Sequence, residues 1–210
     1  MPTLTDALPT PAEQARRLVD ARIPELAGIS ADVLDASAAH APDDAVLVIH
    51  PRLLPPSVLT PAITWRGRPA FVVEDMTDVD DFAPVDDLPD APVYAVINPD
   101  RGDAMANWSP NEALPALTGA GRTPLTVTEG LFWLLQQPGV LERGHCFMTI
   151  GSRLRKPGGT LDNRTPAVWI SNGTGRDGRA RRDALKVGWC WAGNRHTWLG
   201  FASASRRQAS

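Results

Sequence analysis

The residues with the widest chemical reach lie in Val187 to Ala202, VGWCWAGNRHTWLGFA. This stretch holds three of the seven Trp, one of the two Cys and one of the four His, together with Asn194 and Arg195. A second pair, His145-Cys146, opens the segment HCFMTI. Two Cys and two His are a zinc ligand set in type. Neighbours on one strand point to opposite faces, however, so His145 and Cys146 do not readily share an ion, and no metal is expected. Cys146 with His196, or Cys190 with His145, could instead form a thiolate–imidazolium pair. That makes His145, Cys146, Cys190 and His196 the catalytic candidates of an enzyme reading, with a His as acid–base group. No recognised nucleophile turn surrounds either Cys, and a free Cys usually packs as a small hydrophobe.

The third chemistry is anion recognition. Two Gly- and Arg-rich loops carry Arg153, Arg155, Lys156, Arg164, Arg176, Arg179, Arg181, Arg182 and Lys186 near their ends. Guanidinium forks match the geometry of phosphate and carboxylate. Backbone amides of NGTGRDG, Asn172 to Gly178, could form an anion nest, although the GxxxxGK[ST] phosphate loop is missing. Basic residues interleaved with Trp also suit single-stranded nucleic acid, whose bases stack on indoles. The ligand-binding candidates are therefore Arg153, Arg155, Asn194, Arg195 and His196 toward the anion. Trp189, Trp191 and Trp198 would form a stacking or apolar wall. The competing reading of the same indoles is a plain core.

These side chains need elements to hold them. Val187, Trp189 and Trp191 alternate with Gly188, Cys190 and Ala192, the period of a strand with one bulky face. The Gly193-Asn194 pair is a hairpin signal, which predicts a returning strand over residues 197–202. HCFMTI and AVWI read as further strands. Thr126 and Glu129 have capping-box spacing ahead of an almost wholly apolar helix ending at Pro138-Gly139. Upstream, Thr10-Pro11 starts one helix and Ser30 caps a second. AVLVI, AFVVE and YAVI are expected strands of one sheet. His50, at the end of AVLVI, reads as structural. The expected fold class is α+β, a helical N-terminal part with short buried strands and a β-rich C-terminal third.

Charge divides the 210 residues. Residues 1–120 carry 7 Arg against 19 Asp and Glu, whereas residues 121–210 carry 14 Lys and Arg against 5 acids. Eight of the acids fall in Glu74 to Asp90, a stretch that lacks the Gly and terminal Glu of a calcium loop and could dock on the basic half. The expected organisation is an acidic helical and mixed α/β part, 1–120, and a basic, Trp-rich helix-plus-sheet part, 121–210, in two domains or one. The sequence shows no basic-then-apolar leader and no run of membrane-spanning length, so a cytoplasmic setting with reduced thiols is expected. No motif names a cofactor.

The segments GRTPLTVTEGLFWLLQQPGVLERGH, HCFMTIGSR, TPAVWIS and GWCWAGNRHTWLG resemble a family of uncharacterised, mainly actinobacterial proteins. The resemblance covers Gly121 to Ala202 and is looser before it. It implies Pro where this chain has Arg195, and it implies no activity and no catalytic residues. Three readings follow from the residues. The first is a binding protein for an anionic ligand, either a phosphorylated metabolite or nucleic acid. The second is an enzyme using His145 or His196 with Cys146 or Cys190. The third is a self-associating or protein-interaction module.

Overall fold

A computed structural model describes residues 7–209. The chain opens with helices α1 (Pro11–Asp20), α2 (Ile23–Ala27) and α3 (Ala31–His40). It continues through strand β1 (Ala45–Ile49), helix α4 (Pro56–Ala62), and the short strands β2 (Thr64–Trp65), β3 (Arg68–Pro69), β4 (Phe71–Val72) and β5 (Ala83–Pro84). Strand β6 (Val93–Ile97), helix α5 (Pro110–Gly119), strand β7 (Thr123–Pro124) and helix α6 (Val127–Gln136) follow. The rest is strand-rich: β8 (Cys146–Met148), β9 (Ser152–Arg153), β10 (Arg164–Ile170), β11 (Leu185–Trp191), β12 (Leu199–Phe201), β13 (Ser203–Ala204) and β14 (Arg206–Ala209). The fold is α+β, with helices concentrated early and strands late. Among the described residues no helix is long and apolar enough to cross a membrane.

Local signals set the helix starts. Thr10 accepts from the Glu13 N–H while the Glu13 carboxylate accepts from the Thr10 N–H, closing a capping box on α1. Thr126 and Glu129 close the same box on α6, and Ser109 and Glu112 on α5. AVLVI is buried along its whole length, as a strand without polar alternation must be.

Two sheets share the core. The first has the order β1-β6-β14 and the second β12-β8-β10-β11-β4. The acidic and basic parts of the chain thereby trade strands: β14 pairs with β6, and β4 pairs with β11. Two sequence expectations change. AFVVE does not join AVLVI and YAVI; its β4 lies parallel to β11 in the other sheet. The predicted final hairpin does not form either. β11 pairs with β10, whereas β12 runs parallel to β8, with β8 and β10 lying between the two. The intervening residues find other partners. Ala192 N–H donates to Asn163 O at 2.7 Å, and Asn107 N–H donates to His196 O at 2.9 Å. Chain continuity at a Gly-Asn turn is outweighed by burial of Leu199 and Phe201 beside β8.

Helix α6 packs on one face of the second sheet. The Trp133 and Phe147 rings stand 5.6 Å apart, and Thr149 reaches Gly130 so closely that a Cβ there would sit 2.8 Å from its Cγ2. At the other side of α6, Glu129 is buried. Its Oε1 accepts from the Tyr94 hydroxyl at 3.0 Å and from Arg207 Nε at 2.5 Å, and its Oε2 accepts from Arg207 Nη2 at 2.9 Å. This triad ties β6, α6 and β14 together.

Candidate functional site

The face of the second sheet turned away from α6 carries the chemistry. On β11, Gly188 leaves room above the strand, and the Trp169 indole from β10 fills it. A Cβ at Gly188 would lie 2.7 Å from Trp169 Cη2 and 3.1 Å from Val73 Cγ1. Lys186 stands over the same indole, its Nζ 4.8 Å from the ring centroid. Asp177 holds that ammonium at 2.7 Å and accepts from Ser171 Oγ at 2.7 Å. The carboxylate of the NGTGRDG loop is thus engaged within the protein.

The stretch after β11 runs back along the sheet, from the level of Arg164 to that of Trp169, and brings Trp198 to β8, where Cys146 N–H donates to Trp198 O at 2.9 Å. Trp198 meets Trp169 edge to face, with centroids 6.4 Å apart and planes at 73°. Between and beside the two indoles opens a cavity of about 630 Å³, lined by Arg143, Cys146, Trp169, Asn172, Cys190 and Trp198 among others. Arg143 stands at its edge. It donates to Asn172 Oδ1 at 2.6 Å, to Ser171 O at 3.3 Å and to the Asp183 carboxylate.

Both thiols reach this cavity from separate places. Cys190 pairs with Thr165, whereas Cys146 precedes Phe147, the partner of Val168, and so stands level with Trp169. Four residues of strand, about 13 Å, and the width of β10 separate them, beyond disulfide reach. Burial pushes each thiol up from the ordinary 9.0 to about 11; Arg101 and Arg143 near Cys146 offset this only in part. Both are thiols rather than thiolates at neutral pH, which gives a nucleophilic role no support. Among the described residues no group of three or more His, Cys, Asp or Glu is placed to hold a metal.

His196 and His145 flank Trp198. The His196 ring is 5.3 Å from the Trp198 ring, its Nε2 has no partner among the described residues, and burial lowers its pKa, so it is neutral at pH 7. His145 is exposed beside a neighbouring hollow that Trp198 also lines.

The other candidates go elsewhere. Arg153 is buried on β9, which pairs with β5. Its Nη2 donates to Asp162 O at 2.9 Å, and its Nε has no partner among the described residues. Arg155 is exposed at a bridge to Leu161. Arg195 pairs with the Glu112 carboxylate and donates to Asn107 O at 3.1 Å, beside an exposed Asn194. Trp189 and Trp191 stack edge to face 4.6 Å apart, with Trp191 half exposed. The cavity therefore gathers Cys146, Cys190 and Trp198 with the two histidines alongside, while Arg153, Arg155 and Arg195 do not line it.

Sequence reasoning missed Trp169 and Arg143, and it reached Asn172 only through its backbone, as the start of the NGTGRDG nest. A signal for Trp169 was available: the small residues Gly188 and Cys190 on one face of β11 require a large neighbour, and AVWI offers one large side chain. Nothing local marked Arg143, whose position depends on the turn that bridges Glu142 to His145.

The docking of the acidic stretch on the basic half is present. Asp78 takes both Arg164 Nη groups at 3.0 and 2.6 Å, Asp75 takes Arg176 at 2.8 Å, and Glu74 takes Arg181 at 3.2 Å.

No curated protein and no solved structure matches this chain. Residues 17–210 match a family of unknown function, DUF5701, and the chain belongs to that family.

Proposed function

We propose that the protein binds a small organic anion with a flat apolar body in the cavity between Trp169 and Trp198. The observation that carries this reading is the edge-to-face indole pair opening on a cavity of about 630 Å³ with a guanidinium and an amide at its edge. Indole faces and edges take an apolar ring, and a few convergent polar groups fix its orientation. Arg143 and Asn172 receive the anionic group. Asp183 then acts as its competitor, because it shares the Arg143 guanidinium. A compact ligand is favoured over a nucleic acid strand, since Arg164, Arg176 and Arg181 are already engaged by carboxylates of the same chain.

The test is a titration with naphthoate, followed by tryptophan fluorescence, beside its uncharged carboxamide. Naphthoate is expected to quench and the carboxamide to bind at least about tenfold more weakly, the value of a charge-assisted hydrogen bond. Arg143→Gln abolishes that preference. Asp183→Asn, at a backbone φ of 66° that Asn tolerates, tightens naphthoate binding. Equal affinity for both probes, or quenching unchanged in Trp169→Leu, overturns the reading.

A further inference from the structure

A second cavity, which shares no lining residue with the one between Trp169 and Trp198, opens where the end of β1, α4 and the acidic stretch meet the N-terminus of α6. Its volume is about 450 Å³. Its floor is a set of donors. Thr128, 2 % exposed, lines the cavity, and its hydroxyl has no hydrogen-bond partner among the described residues. Ser152, also buried, accepts from the Val127 N–H at 3.0 Å, which leaves its own proton to donate. His50 Nδ1 accepts from the Arg52 N–H at 3.1 Å, so the neutral ring carries its proton on Nε2. Burial and the Arg52 charge lower the His50 pKa and keep the ring neutral. The helix end adds the partial positive charge of its first-turn amides. Glu129, just behind, adds little opposing charge because Arg207 and Tyr94 hold its carboxylate.

The rim has the opposite character. Asp86 and Asp87 line it and are exposed; Asp86 stands 3.9 Å from Arg207, whose guanidinium is turned to Glu129, while Arg52 is engaged by Asp90 at 2.6 Å. Pro55, Pro56, Phe82 and Leu88 supply apolar wall. Donors at the floor call for a carboxylate or phosphate. Carboxylates at the rim repel a polyanion and attract an ammonium. One small molecule satisfies both.

We propose that this cavity binds an α-amino acid with an apolar side chain, its carboxylate on Thr128, Ser152 and His50 and its ammonium at Asp86 and Asp87. The apolar wall takes the side chain. The binding is independent of the Trp169–Trp198 site, and the two are separable by variants.

The experiment is isothermal titration calorimetry of the full chain with L-leucine, L-phenylalanine, acetate, isobutylamine and inorganic phosphate. At least one amino acid is expected to bind about tenfold or more tightly than acetate, isobutylamine or phosphate. Thr128→Val keeps the side-chain shape and removes the hydroxyl, and it weakens that binding about tenfold, whereas Thr128→Ser retains it. The Asp86→Asn/Asp87→Asn double variant weakens the amino acid and leaves acetate binding as tightly or more tightly. Circular dichroism verifies that each variant is folded, and Thr128→Ser and the Asp variants carry the test if Thr128→Val is not. No heat with either amino acid, or acetate or phosphate binding as tightly, or full affinity in Thr128→Val, overturns the proposal. Naphthoate quenching is expected to stay unchanged in all of these variants.

Discussion

Two kinds of Arg–carboxylate junction hold this molecule together, and the same pair of residue types does different work in each. At the inner junction, Glu129 and Arg207 have side-chain exposures of 0 and 6 %, and Tyr94 closes the set. At the outer junction, Glu74 and Arg181 are 64 and 38 % exposed, and Asp75 and Arg176 are 40 and 76 % exposed. Asp78 and Arg164, at 30 and 20 %, lie between. Desolvation is what separates them. A buried charge that loses its partner has nothing to replace it, whereas an exposed one recovers water. The intermediate and outer pairs join the acidic part to the basic part and offset some of the charge imbalance, whereas Glu129 and Arg207 both belong to the basic part.

The largest effect is expected at the inner junction. Arg207→Met leaves Glu129 buried without its guanidinium and should cost about 3–5 kcal/mol, read from the midpoint of urea unfolding. Glu129→Gln should cost a comparable amount, since it strands the Arg207 charge. The double variant should recover part of the loss, because no unpaired charge then remains buried. A single variant costing under about 1 kcal/mol would break the comparison by placing this pair with the exposed ones.

The intermediate pair sharpens the gradient. Asp78 accepts two parallel bonds from Arg164, whose guanidinium also stands 5.3 Å from the Phe82 ring centroid. Arg164→Gln should cost about 1–2 kcal/mol at pH 7. The Arg164 hydrogen bonds hold the Asp78 carboxyl below its ordinary 3.8. A lowered folded value means that this stabilisation is present above 3.8 and is lost as pH falls below it through the folded value. The difference between wild type and Arg164→Gln should therefore shrink on acidification, measured by denaturation at neutral and at acid pH.

Burial acts on neutral acids too, with the opposite sign in pH. Cys146 and Cys190, both raised to about 11, bind protons more tightly folded than unfolded between 9.0 and about 11. Stability should accordingly decline as pH rises through that window. Iodoacetamide should label both slowly at pH 7 and faster as the thiolate fraction grows, followed by mass spectrometry. Rapid labelling of either Cys in the native protein at pH 7 would restore the nucleophile reading.

Much of the framework was legible because its signals are local. The helix start at Thr10-Pro11 and the capping box at Thr126-Glu129 lie within single turns, and the short, β-branched apolar run AVLVI, closed by His50-Pro51, reads as a strand buried on both faces. The pairing of strands was not legible. Gly193-Asn194 is a sound hairpin signal, but whether Leu199–Phe201 returns along β11 or runs beside β8 depends on which strand still offers an apolar edge. The site inherits the same limit. Trp198 was visible as a residue, but its meeting with Trp169 follows from a crossover that no short window contains. Thr128 lies inside the helix that Thr126 opens, and its lining of a cavity depends on β9 and the acidic stretch arriving from elsewhere in the chain.

The smallest effects belong to the outer junction, where they can divide an ion pair from the packing beside it. Glu74→Gln should cost no more than about 0.5 kcal/mol, and the loss should fade at high salt, where the Debye length shortens to about 3 Å. Arg181→Ala should cost more than Glu74→Gln, up to about 1 kcal/mol, because the guanidinium also lies 4.6 Å from the Phe71 ring centroid and that contact is not screened in the same way. The difference between the two variants, measured at both low and high salt, isolates the ring contact. If the two cost the same at every salt concentration, then Phe71 contributes nothing and the outer junction is charge alone. If Glu74→Gln rivals Arg164→Gln, then exposure does not set the strength of these junctions, and the contrast between the dry and wet ends of the molecule fails.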